Sequence, residues 1–364
     1  MGLEKKRIAV ICNYKLLPSR VGGMDYFYWA FNAACKNEGI TVDWFFPNRA
    51  DFGGYKDLCI IPNDGRNVEH HFINYLDRNT VDYSHIVTHF VELCTTFYKT
   101  VKEKQKAKLI AVDHNPRPFG GYSLKKRLKK RVKGVLYSQY IDLFVGVSKY
   151  TSEAILNDFG RFLKPKTKTI YNGVLIKDIV PKTTERAKNN PKFLVVSHLR
   201  YSKGIQDLID AVYQLPESLK NDLIIDVYGD GPYRARLEEL VNNTALESVF
   251  KFKGSVSNLA TLYKEYDYLL QPTHMECFSL SILESLAANI PVITTLVGGN
   301  KEVITHGENG YLFNVENTHE LSTVLEAVVC GKLSVKGSTR SLIEKRFSID
   351  TMVSNHLELL KNAV

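Results

Sequence analysis

No stretch of about 18 consecutive apolar residues occurs in this 364-residue chain, which excludes a spanning helix of ordinary length. The opening Met1-Gly2-Leu3-Glu4-Lys5-Lys6 leads straight into a strand-like run, so no secretory leader is expected. Lys6 stands where a myristoylation signal wants Ser or Thr. Cysteine is not patterned: Cys12, Cys35, Cys59, Cys94, Cys277 and Cys330 form no Cys-x-x-Cys pair and have no metal-ligand spacing with His. They read as reduced thiols, which excludes a disulfide scaffold; no metal site is expected. Short-period repeats and low-complexity tracts are also missing, which sets aside solenoids and disordered chains.

The composition that is present, 44% hydrophobic and 24% charged, is that of an ordinary globular protein. At about 150 residues per domain the length predicts two domains, or at most three, with ample core. Lys and Arg number 48 against 39 Asp and Glu, a formal charge of +9. That excess points to phosphate-rich ligands, an anionic membrane surface or nucleic acid.

Continuous apolar runs mark buried parallel strands at 8–12, 42–46, 85–87, 109–112 and 143–147, with helical spacing between them, as at 24–36, 91–104 and 124–140. The pattern restarts with strands at 193–196, 223–228, 249–252, 268–270 and 291–295, and helices at 205–215, 233–243 and 279–288. Strand alternating with helix predicts an α/β chain of two doubly wound, Rossmann-like parallel-sheet domains facing each other across a cleft. Residues 1–176 form the first and 192–346 the second. Residues 177–191, polar with Pro181 and Pro191, read as a linker, and residues 347–364 as a C-terminal helix.

Three features of the second half suit an anion. Arg200 and Lys203 follow the first strand, where ligands of open α/β sheets bind, and a guanidinium and an ammonium three apart could hold a diphosphate. The alternative is a solvated loop. Glu276 and Glu284 are eight apart, about 80° on an ideal helix. Glu276 precedes the expected helix start at Ser279, so it can turn independently, while Ser279 near the N-cap leaves free N–H groups for an anion. A glycosidase acid/base pair and an ordinary helix-start carboxylate remain open readings of this spacing. Gly298-Gly299 then permits close approach to backbone. Asn309-Gly310 reads as a plain turn, and 229–232 as a tight strand-to-helix turn.

Taken in this order, these segments resemble glycosyltransferase family 4, retaining nucleotide-sugar-dependent enzymes of GT-B fold. The resemblance is closest over residues 192–313 and weaker before them. It implies that Arg200 and Lys203 bind the donor diphosphate. Glu276 would bind donor sugar hydroxyls, assisted by main-chain amides of Phe278, Ser279 and Leu280; Glu284 would bind the ribose, and Gly254 would lie near the base. Gly22-Gly23 resembles the glycine loop against donor phosphate and acceptor. Asp113-His114-Asn115 resembles the segment of the active-site histidine, with His89 a second candidate; His89 and Asn115 would lie on the acceptor side. His114, Glu276, Arg200 and Lys203 are thus the implied catalytic set. The resemblance places the acceptor side in the first domain, the donor in the second, and the C-terminal helix, with Leu357, Leu359 and Leu360 as packing residues, back on the first. This chain has Ser197-His198 where the family has Gly-Arg, so the arginine role moves two positions to Arg200, and Cys277 replaces a glycine.

The implied function is retaining, metal-independent transfer of a sugar, from a UDP-sugar foremost, to a glycan or lipid-linked acceptor in surface polysaccharide or glycoconjugate assembly. No cofactor beyond the donor is implied. A catalytically silent nucleotide-sugar or glycan-binding module, a nucleotide-sugar epimerase and a phosphorylase are the alternatives. The remaining charge is dense at Lys125, Lys126, Arg127, Lys129, Lys130, Arg131 and Lys133, with Leu124, Leu128, Val132 and Leu136 recurring every four residues. Such a helix packs by its apolar stripe, or docks on anionic lipid, with nucleic acid the least favoured partner. A cytoplasmic protein, peripheral on the inner face of a bacterial inner membrane, is the expectation.

Overall fold

A computed structural model describes residues 6–361 apart from 64, 66 and 187–189. Residues 1–5, part of the segment read as lacking a leader, lie outside that set, as do residues 187–189 of the polar stretch and 362–364 of the last helix. Among the described residues no helix is long and apolar enough to cross a membrane.

The chain divides into two compact units, Met1–Gly173 with Ile349–Val364, and Val174–Ser348. In the first unit the strands are β1 (Arg7–Cys12), β2 (Thr41–Phe45), β3 (Cys59–Ile60), β4 (His85–His89), β5 (Lys108–Asp113), β6 (Leu143–Gly146) and β7 (Thr167–Thr169). They form one parallel sheet in the order β3-β2-β1-β4-β5-β6-β7. Ile8 to Cys12 are wholly buried, as a continuous apolar run covered on both faces requires. The edge strands β3 and β7 are two and three residues long, too short for a periodic signal, and the sequence reading missed both.

The second unit contains β8 (Lys192–Val196), β9 (Ile224–Tyr228), β10 (Phe250–Gly254), β11 (Tyr268–Gln271), β12 (Val292–Thr295) and β13 (Gly310–Phe313). Their order is β10-β9-β8-β11-β12-β13, again parallel. Phe193 and Val195 of β8 and Ile225 and Val227 of β9 pack with helices Ile205–Tyr213 and Thr318–Val329. Asn309 does sit in a turn, its side chain bonded to Thr305 N and Val303 O, but Gly310 opens β13. Of the stretch 177–191, residues 177–186 are tied to this unit: Arg186 donates to Val335 O and Asn289 O, and Lys182 reaches Asp267 at 3.3 Å.

The final helix, Ile349–Lys361, lies against helix Gly23–Asn37 of the first unit. His356 sits 4.8 Å from the Phe27 ring, centroid to centroid. Its buried face is Ile349, Met352, Val353, His356 and Leu360. Leu357 and Leu359, expected to pack, are only half-buried, because the helical phase set by Met352 and His356 turns them aside.

Helix Leu124–Tyr137 departs from one of the two readings of its pattern, the one that packs it by the apolar stripe. The apolar stripe read as a packing face is exposed: Leu124 79%, Leu128 67%, Val132 49% and Leu136 51%. The opposite side holds the helix. A Cβ at Gly134 would lie 2.0 Å from Phe159 O, so only glycine permits this approach. Lys130 pairs with Asp158 at 3.0 Å, and Lys133 with Glu92 at 2.6 Å.

Candidate functional site

In the first unit, strands β4 and β5 run side by side and end at His89 and Asp113. Their ends bring His89 Nδ1 and His114 Nε2 to 3.0 Å. Both rings are buried, and the Phe90 ring stacks on His114 at 4.2 Å. Burial lowers the His114 imidazole to about 3, against the pull of Asp113. His89 is also driven well below its ordinary value by burial, and His356, stacked on it, falls to about 4. These rings are therefore neutral at physiological pH and can share a hydrogen bond, one nitrogen donating and the other accepting. Asn115 is turned away to Asp113, whose carboxylate accepts from its N and Nδ2 and pairs with Arg117 at 2.8 Å.

Gly22 caps helix Gly23–Asn37, and its N–H donates to Asp25 Oδ2 at 3.0 Å. Asp25 is wholly buried and also accepts from Tyr14 and Tyr55. This carboxylate and His356 were not picked out from the sequence. The signal for Asp25 was its position three residues after the Gly22 cap.

In the second unit, the loops after β8, β11 and β12, three neighbouring strands, meet at their carboxyl ends. Lys203 closes a short turn, Tyr201–Lys203, and Gly204 follows with φ 68°. A Cβ on Gly204 would fall 1.9 Å from Pro272 O, so the two loops approach only because this residue is glycine. His274 N donates to Ser202 O at 2.9 Å, and His274 Nε2 meets Asp207 Oδ2 at 2.6 Å. That side-chain bond raises the imidazole's affinity for its proton. The stitched loops bring together Lys203 and Glu276, 73 positions apart, with Nζ donating to Oε2 at 2.8 Å. Glu276 Oε1 also accepts from Cys277 N at 3.1 Å.

Ser279 caps helix Leu280–Ala287, its Oγ accepting from Ile282 N. On the far side, Gly298 has φ 57°, and a Cβ there would lie 1.8 Å from Glu276 O. Gly299 N donates to Cys277 O at 3.0 Å. Cys277 and Phe278 are buried beneath the loop. Arg200 is exposed ahead of the turn. Gly254 ends β10 with φ 71°, and a Cβ there would touch the Arg234 guanidinium at 3.7 Å. The His274–Asp207 pair is the feature of this site that sequence reading missed, although His274 lies two residues before Glu276.

Residues 177–340 match the family of glycosyl transferases group 1. That segment contains the second-unit residues named above, from Arg200 and Lys203 to Gly298. N-acetyl-alpha-D-glucosaminyl L-malate synthase of Bacillus anthracis is 31% identical over 46% of this chain and 46% of its own length. The UDP-N-acetylglucosamine--peptide N-acetylglucosaminyltransferase GtfA subunit of Streptococcus agalactiae is 27% identical over 59% of this chain and 44% of its own. The matched stretch thus spans less than half of either relative. Anabaena HepE in complex with UDP-glucose superposes with a TM-score of 0.74 at 19% identity, covering 98% of this chain and 99% of HepE. The fold is GT-B: two parallel-sheet Rossmann-like units, with the last helix returned to the first.

Within the group 1 segment Glu284 is separate from the Lys203–Glu276 contact in its bonding: its Oε2 accepts from Tyr263 OH at 3.0 Å. Burial raises its carboxyl from 4.5 to about 7, opposed by that hydrogen bond. An acid with a raised native value binds its proton more tightly when folded. Its stabilising contribution is complete below about 4.5 and is lost as pH rises towards about 7. Across that window Glu284 opposes the rise in stability contributed by the buried histidines, and Glu284→Gln is expected to steepen the rise of melting temperature with pH. A slope unchanged in the variant assigns the pH dependence elsewhere.

Proposed function

We propose that this chain is a retaining glycosyltransferase of family 4 type, moving a sugar from a nucleotide donor, a UDP-sugar, to a glycan or lipid-linked acceptor. The observation that carries the reading is the Lys203–Glu276 contact at 2.8 Å beside the Ser279-capped helix start. A cation, a carboxylate and free helix N–H groups in one place suit a diphosphate joined to a sugar: positive groups for the phosphates, an acceptor for the sugar hydroxyls.

In the proposed reaction the glycosyl–phosphate bond breaks, and its electron pair leaves on the diphosphate oxygen. Lys203, Arg200 and the main-chain N–H groups at 279–280 stabilise that charge as it grows. Because these cations belong to the protein, turnover is proposed to need no divalent metal. Glu276, released from Lys203 by the arriving phosphate, accepts hydrogen bonds from sugar hydroxyls. The acceptor oxygen bonds to the anomeric carbon on the face the phosphate leaves, and its proton passes to that phosphate. Glu284 serves the ribose. His114, neutral through burial, offers a hydrogen bond rather than a charge.

The test is a thermal-shift panel of nucleotide sugars. A donor at a hundred times its Kd stabilises the native state by about 2.7 kcal/mol. The expected result is a raised melting temperature with one or more UDP-sugars; no response to any nucleotide sugar overturns the reading. Slow hydrolysis of the responding donor then separates an enzyme from a silent binding module.

A further inference from the structure

We propose that helix Leu124–Tyr137 docks the first unit on an anionic lipid surface, lying in the plane of the interface with its apolar stripe inserted. At about 100° per residue, Leu124, Val135, Leu128, Val132 and Leu136 fall within about 120° of arc. Val135 is 63% exposed, and the other four are at least half so or nearly so. Lys130, Lys133 and Gly134 lie on the opposite side and hold the helix to the protein. The stripe is therefore the helix's outward face, fixed there by its anchors.

Charge complementarity names the occupant. Lys129 borders one edge of the stripe, with Lys125 just inside it between Val132 and Leu136, and Arg127 and Arg131 border the other. No acidic residue occurs between 124 and 137. The carboxylates bonded to the helix, Asp158 and Glu92, are held by Lys130 and Lys133 on the inner side. Among the described residues Lys125, Arg127 and Lys129 make no ion pair, and all three are exposed. An apolar centre between two cationic edges fits acyl chains flanked by anionic headgroups. A nucleic acid backbone has no use for five exposed aliphatic side chains. A second copy of this face would set its own cations against themselves. The proposal stands on this helix alone and does not depend on the reading of the second unit.

The full chain is co-sedimented with vesicles of phosphatidylcholine alone and of phosphatidylcholine with phosphatidylglycerol. It should pellet with the second and not the first, and high salt should release it. Each exposed cation is worth about fivefold in affinity for such a surface, so Lys125→Ser with Lys129→Ser should weaken binding on the order of twentyfold. Leu128→Gln with Leu136→Gln should weaken it about tenfold or more. Both pairs replace exposed side chains, so melting temperatures should match the parent, which separates lost docking from lost fold. Equal binding to neutral and anionic vesicles overturns the proposal, as does full binding by either double variant. Two other results also overturn it: a dimer in solution that the leucine variant dissolves, or capture of duplex nucleic acid without capture of vesicles.

Discussion

Lys203→Ala is expected to lower the rate of donor turnover on the order of a hundredfold or more, about 3 kcal/mol, the loss typical of one charge-stabilising donor at a reacting centre. Two effects add. The variant removes the ammonium proposed to meet the departing diphosphate, which hurts most where charge is greatest. It also strips Glu276 of its 2.8 Å partner, leaving a partly buried carboxylate with the Cys277 N–H as its remaining bonded donor. That uncompensated negative charge then faces an incoming anion, so donor affinity should fall along with turnover. Lys203→Arg keeps the charge but not the compact point donor, and partial recovery is expected. Donor hydrolysis and calorimetric donor binding measure the two effects separately. Near-normal values of both for Lys203→Ala would end the assignment of this lysine to the diphosphate.

The second large effect is structural. Gly298→Ala should destabilise the second unit by roughly 3 kcal/mol or more, through a backbone penalty of about 1–2 kcal/mol and a collision that repacking cannot relieve cheaply. The new Cβ would meet a main-chain oxygen, that of Glu276, at 1.8 Å, with φ at 57°. No side chain can rotate away; the loop carrying Glu276 has to move, so donor affinity should fall as well. Gly307→Ala is the control. Its φ is 84°, yet nothing lies within 4 Å of the added carbon. It should show the backbone penalty alone, at about 1–2 kcal/mol. Urea unfolding of the two variants compares them directly; equal losses would mean that the approach to Glu276 does not limit this loop.

Much of this architecture is visible in residue order. The runs at Ile8 and Phe193 are apolar without interruption because both faces of a parallel strand are covered, and helices between them leave few other folds. Ser279 was legible as a cap because a hydroxyl before an apolar helical run has few other uses. What residue order does not carry is which loops touch. Lys203 and Glu276 are joined by geometry that Gly204 and Gly298 permit, and neither glycine announces its neighbour. His89 and His114 were read as competing candidates; in the folded chain they share one hydrogen bond. The helix at 124–137 teaches a sharper lesson. Spacing tells which residues share a face, not what that face meets. Gly134, the lone small residue on the other side, was the mark of the packed surface.

The return of Ile349–Lys361 to the first unit has a consequence for how this protein is made. The second unit is one uninterrupted stretch and can close once its last residues leave the ribosome. The first cannot. Its own stretch up to Gly173 emerges early, but Phe27 and Phe31 wait for His356 and the helix that carries it. At about 5–20 residues per second, that wait is roughly 10–40 s. For that interval the nascent first unit presents aromatic rings to the cell, so its yield should respond to chaperone supply and to whatever is fused behind its last residue.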